Sequence, residues 1–127
     1  MKGFMLSICL LMGYSPFAQA DSELISPKEA ATLTAEKKAV IVDVREDSEW
    51  NEGHIAGAIH IPLAQLESHL AELQQYKNSD VITQCKSGKR SLKALEILKS
   101  AGFSKVQSMD GGIMAWSKDG LSTQQQN

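Results

Sequence analysis

The chain has 127 residues, 43% of them hydrophobic and 22% charged, an ordinary globular composition of a length that suits one domain. A net charge of −2 and few aromatic residues exclude the basic, aromatic-studded face of a nucleic-acid binder.

The first twenty residues differ from the rest. Lys2 precedes an apolar run from Phe4 to Met12, followed by Pro16 and the small-residue ending Ala18-Gln19-Ala20. This is the layout of a cleaved secretory signal over residues 1–20, with a membrane anchor or a buried first helix as the alternatives, and the run is too short to span a bilayer comfortably. No lipobox precedes Cys9. Cleavage after Ala20 leaves one domain, 21–127, with no membrane attachment and with Cys85 as its single cysteine. An unpaired cysteine in an exported chain implies an intermolecular bond, a reactive thiol or an inert buried side chain, and its neighbours must decide which.

Residues 21–26 read as a lead-in. Ser26-Pro27-Lys28-Glu29 predicts a helix start, with Ser26 as cap and Pro27 at the first helical position, and a helix to about Glu36. The β-branched run Ala39 to Val44 predicts a strand buried on both faces. Asp47 to Glu52 predicts a short helix stopped at Gly53, and Ala58 to Pro62 a second strand. Leu63, Leu66, Leu70 and Leu73 recur at helical spacing and predict a helix over 63–76. After a turn at 77–80, Val81 to Cys85 predicts a strand that ends on the thiol. From Gly88 to about Ser100 the apolar positions 92, 94, 95, 97, 98 and 101 predict an amphipathic helix, with Gly102 as its C-terminal cap. Lys105 to Met109 predicts a last strand, and Asp110 to Trp116 a turn at Gly111-Gly112 into a short helix. A Gln-rich polar tail from about Leu121 is expected to fray. Strands alternating with helices predict an α/β fold, mostly parallel, with helices on both faces and ligands beyond the carboxyl ends of the strands, where Cys85 falls.

Cys85-Lys86-Ser87-Gly88-Lys89-Arg90-Ser91 is therefore a strand-to-helix junction. Gly88 permits a sharp turn, the turn's amides can point inward, and the helix adds its positive end. Together with Lys86, Lys89 and Arg90 these features favour a thiolate at Cys85, a nucleophile in an anion nest. Two chemistries fit such a nest: phosphoryl or arsenate chemistry, and sulfur transfer through a persulfide. Four residues separate Cys85 from Arg90, a small loop for a tetrahedral oxyanion, and no aspartic acid follows it closely to protonate a leaving group. Arg90 can point inward as a clamp or outward to a carboxylate. Lys86 and Lys89 are expected at the mouth. Asp43 and Arg45 end a strand on the same edge; they are candidates for the pocket rim, although an internal ion pair is the simpler arrangement. His54 is expected to pack and hydrogen-bond rather than to act as a base, and Trp50 and Trp116 to lie in or near the core.

The chain resembles the rhodanese family of sulfurtransferases over nearly all of residues 25–121. Three segments carry the resemblance: Asp43-Val-Arg45-Glu46 with Glu49-Trp50 and the run Glu52 to Pro62; Cys85 to Ser91; and Asp110 to Trp116. It implies a rhodanese-like single domain with a five-stranded parallel sheet. It implies that Cys85 takes a sulfane sulfur from a small anionic donor such as thiosulfate and yields it to a thiol or cyanide, with Lys86, Ser87, Gly88, Lys89, Arg90 and Ser91 binding the substrate. No metal or organic cofactor is implied. The phosphatases and arsenate reductases of this fold have a loop one residue longer, so the four-residue spacing here favours sulfur; those enzymes and a partner-dependent sulfur carrier are the alternatives. The small exported form is similar to periplasmic bacterial members, so the expected location is the periplasm and the default state a monomer.

Overall fold

The computed structural model describes residues 22–125. The predicted export signal over 1–20 lies outside the described residues. Five strands form one all-parallel sheet: β1 (Leu24–Ile25), β2 (Ala39–Asp43), β3 (Ile59–His60), β4 (Asp80–Gln84) and β5 (Val106–Met109), in the order β1-β5-β4-β2-β3. Among the described residues four α-helices accompany them: α1 (Pro27–Ala35), α2 (Asp47–Glu52), α3 (Lys89–Ser100) and α4 (Gly112–Lys118). Ser26 caps α1 as predicted, its Oγ accepting from the Glu29 N–H at 3.1 Å, with Pro27 at the first helical position.

Alternation along the strands fills two apolar layers. Val42, Val44, Val81 and Cys85 face Ala94, Leu95 and Leu98 of α3, with Leu66 and Leu73 beside them. Ile41, Ile82 and Met109 face the other way, against Ala30 of α1 and Trp116 of α4. Both faces of the sheet are covered, as the nearly continuous apolar run of β2 requires. From β2 the chain moves outward to β3, and from β4 outward to β5 in the opposite direction. The crevice between the ends of β2 and β4 is thus the topological switch point, the place where such sheets bind ligands.

Four expectations need correction. The lead-in contains the edge strand β1, too short at two residues to leave an alternation in the sequence. The segment 63–76 is not one α-helix but two 3₁₀ stretches, Leu63–Gln65 and Glu67–Tyr76, with His69 at non-helical angles (φ −113°, ψ 18°). Leu63/Leu66 and Leu70/Leu73 are each an i, i+3 pair, which suits three residues per turn, and the extra residue between the pairs falls where the helix breaks. Leu92 is exposed: Ser91, Ala94, Leu95 and Leu98 form the buried stripe of α3, and a residue next to Ser91 is turned about 100° off it. The tail is held through Gln124, which exchanges backbone hydrogen bonds of 2.8 Å with His54, while the Trp116 indole donates to the Ser122 carbonyl at 2.9 Å.

Candidate active site

Cys85 is the first residue past the central strand β4, and α3 begins four residues later. Gly88 makes the turn possible with φ +113°, a left-handed value that a side chain disfavours. The turn brings the Gly88 N–H to 3.1 Å and the Ser91 N–H to 3.4 Å from Cys85 Sγ, and Ser91 Oγ lies 3.6 Å away. Cys85 is 1% exposed, so its sulfur is the floor of the loop rather than part of the surface. Burial pushes the thiol up. Hydrogen bonds from the Ser91 hydroxyl and from the Ser91, Gly88 and Ser87 amides outweigh burial and hold it below the ordinary cysteine value.

The inward amides have a cause on the outer side of the loop. The carbonyls of Cys85 and Lys86 accept from the N–H groups of Ile113 and Met114, at 2.8 and 3.1 Å, in the first turn of α4. These amides have no partner within their own helix, so the loop and α4 satisfy each other. Gly112 allows the approach: a Cβ there would strike the Lys86 carbonyl oxygen and come within 2.5 Å of the Cys85 carbonyl oxygen. Gly111-Gly112, read from sequence only as a turn, is therefore a contact surface for the loop. On the inner side the Thr83 hydroxyl donates to the Ser91 carbonyl at 2.8 Å and ties β4 to α3.

The charged candidates divide. Arg90 does not reach over the sulfur. Its guanidinium makes a two-pronged pair with Glu49 of α2, 2.7 and 3.0 Å, across the switch point. Arg90 is the main cause holding the Glu49 carboxyl down at about 2, partly opposed by burial and assisted by the Glu46 N–H. Lys86 and Lys89 are exposed, as is Ser87. Asp43 and Arg45 are not rim groups. They are buried and turned on each other, Arg45 donating through Nε and Nη2 at 2.8 to 3.1 Å. Arg45 also donates through Nη2 to the Gly53 carbonyl at 2.8 Å and through Nη1 to the Glu49 carbonyl at 3.3 Å, so the pair holds the C-terminal half of α2 and its cap. Buried charge demands such pairing, and here the two charges meet it in each other. His54 is buried with Nδ1 on the Trp50 carbonyl at 3.0 Å, the packing role expected of it. Its ring and that of His60 stack on Trp50, at 3.6 and 4.6 Å between centroids. Two residues of the site escaped sequence reasoning: Glu49, distant in sequence from Arg90, and Ser108 of β5, whose Oγ lies 2.7 Å from Ser91 Oγ.

This parallel α/β domain buries Cys85 beneath converging amides at the end of its central strand, a setting that favours the thiolate. The family model for the rhodanese-like domain matches residues 26–119, and the chain belongs to that family. A sulfurtransferase of Allochromatium vinosum is 33% identical over 103 residues, covering 81% of this chain and 91% of that one. The probable adenylyltransferase/sulfurtransferase MoeZ of Mycobacterium tuberculosis is 39% identical over 102 residues, 78% of this chain; the match spans only 26% of that longer protein. Among solved structures, a rhodanese-related protein of Thermoplasma volcanium superposes with a TM-score of 0.74 at 27% identity, covering 82% of this chain and 99% of that one. The human single-domain sulfurtransferase TSTD1 does so with a TM-score of 0.69 at 28% identity, covering 76% and 96%. The chain is a rhodanese-like member of a family of sulfurtransferases and sulfur carriers.

Proposed function

We propose that the chain is a sulfurtransferase that accepts a sulfane sulfur from thiosulfate or a similar small dianion on Cys85 and passes it to cyanide or a thiol. The observation that carries this reading is the convergence of the Gly88 and Ser91 amides on one buried sulfur. The Cys85 thiolate attacks the outer sulfur of thiosulfate. The new S–S bond forms as the old one breaks, and its electron pair leaves with sulfite. The persulfide anion that remains is stabilised by the amide cup, as developing charge is in an oxyanion hole. A thiolate or cyanide then attacks the outer sulfur, and Cys85 leaves as thiolate, ready for another turn. A cup whose amides meet at a single atom suits one sulfur better than a phosphoryl group. The export signal over 1–20 and a periplasmic location complete the proposal.

Incubation with thiosulfate tests it. Intact mass should rise by one sulfur, cyanide should remove the increment as thiocyanate, and Cys85→Ser should show neither change. An unmodified wild-type chain rejects the proposal. The near-complete burial of Cys85 also favours a second reading, a carrier that yields its sulfur to a dedicated protein. A putative sulfur carrier protein of Bacillus subtilis, YrkF, is 40% identical over 76 residues, 60% of this chain and 40% of that one. Persulfide that forms but is discharged only slowly by cyanide would select that reading.

A further inference from the structure

We propose that Ser108, on β5, is a positioning residue for the Cys85 sulfur and acts through the Ser91 hydroxyl. Ser91 is 0% and Ser108 1% exposed, and their oxygens are 2.7 Å apart. A serine hydroxyl has one proton to give and can accept two. Ser91 Oγ has three neighbours: Ser108 Oγ, the Gly88 carbonyl at 3.0 Å and Cys85 Sγ at 3.6 Å. Among the described residues, Ser91 Oγ is the hydrogen-bond partner of the Ser108 hydroxyl. Were Ser91 to donate to Ser108, the Ser108 proton would be buried without an acceptor, at a cost. Ser108 therefore donates to Ser91. The Ser91 proton is then free to choose between the Gly88 carbonyl and the sulfur.

That choice follows the state of the sulfur. A thiol donates to Ser91 Oγ, and Ser91 turns its proton to the Gly88 carbonyl. A thiolate accepts, and Ser91 turns its proton to Sγ. In both states Ser108 feeds the chain from behind, and a hydroxyl that accepts a hydrogen bond is a stronger donor. The arrangement favours the thiolate, in keeping with the lowered Cys85 value. The charges around the loop are the Arg90–Glu49 and Asp43–Arg45 pairs, exposed Lys86 and Lys89, and exposed Asp110 after β5. None changes when the Ser108 hydroxyl is removed.

The inference rests on the nucleophilic role of Cys85, but its test is independent of sulfur transfer. The pH profile of Cys85 alkylation by iodoacetamide is measured in wild type, Ser108→Ala, Ser91→Ala and the double variant, with a thermal melt confirming that each is folded. Ser108→Ala should move the midpoint up by about half a pH unit, roughly a threefold loss of thiolate below it. It should move nothing in the Ser91→Ala background, and Ser108→Thr, which keeps the hydroxyl, should restore the wild-type midpoint. An unchanged midpoint in Ser108→Ala, or an equal shift with and without Ser91, overturns the proposal. A chain that takes no sulfur from thiosulfate, yet shows the shift, removes the function proposed above and leaves Ser108 in place.

Discussion

Substitution of Gly112 by alanine should separate the α4 clamp from ordinary glycine strain. Gly112 and Gly120 both have left-handed backbones, φ +60° and +82°. An alanine in that region costs about 1–2 kcal/mol, and both variants carry this cost. Only Gly112 faces the loop: its Cβ would meet the carbonyl oxygens of Cys85 and Lys86, whereas nothing lies within 4 Å of a Cβ at Gly120. Relieving the clash moves α4 off the loop and lengthens the hydrogen bonds from Ile113 and Met114 to those carbonyls. Each such bond contributes a net of about 0.5–1.5 kcal/mol, so Gly112→Ala should be less stable than Gly120→Ala by roughly 1–3 kcal/mol. In urea the Gly112→Ala midpoint should fall about 1 M below that of Gly120→Ala. Persulfide formation from thiosulfate should slow in the first variant and not in the second. Equal midpoints and equal rates would refute the idea that α4 shapes the loop.

The Glu49–Arg90 pair should contribute to stability in a defined pH window. Glu49 is lowered from 4.5 to about 2, so the stabilisation is complete above 4.5 and is lost as pH falls toward 2. After allowance for partial exposure, Glu49→Gln should cost about 1–2 kcal/mol at pH 7, and urea midpoints should converge with wild type between pH 4.5 and 2; a gap independent of pH contradicts this. Because Cys85 is 1% exposed, iodoacetamide should label the native chain while a bulky aromatic disulfide does so only after unfolding, and equal native rates would place the sulfur on the surface. The pH midpoint for loading Cys85 with thiosulfate should fall below the ordinary thiol value of 9.0, because hydrogen bonds hold the thiolate; a rate that tracks a midpoint at 9.0 removes the role of the amide cup.

Much of this was legible in the sequence because it is local. Ser26-Pro27-Lys28-Glu29 combines a cap, a first-turn proline and a first-turn acid, the run Ala39 to Asp43 is short, apolar and β-branched as buried strands are, and Cys85-Lys-Ser-Gly declares its turn through Gly88. What escaped depends on tertiary partners. β1 exists because Leu24 and Ile25 find β5, more than eighty residues away. Arg90 had two possible directions, and the capping Glu46–Glu49 turn of α2 supplies the carboxylate that settles its position. Ser108 lies in an unremarkable strand and joins the site only because β5 runs beside β4. The 3₁₀ geometry of 63–76 turns on a difference between three and 3.6 residues per turn, which four leucines can satisfy either way.

With Arg90 paired to Glu49, the groups that touch the sulfur are peptide amides and a hydroxyl, while full positive charges stand outside on Lys86 and Lys89. Dissolved ions weaken attraction between exposed charges and scarcely touch buried dipoles. Raising ionic strength should therefore make a dianion arrive less often and leave the step that follows its arrival at the same speed.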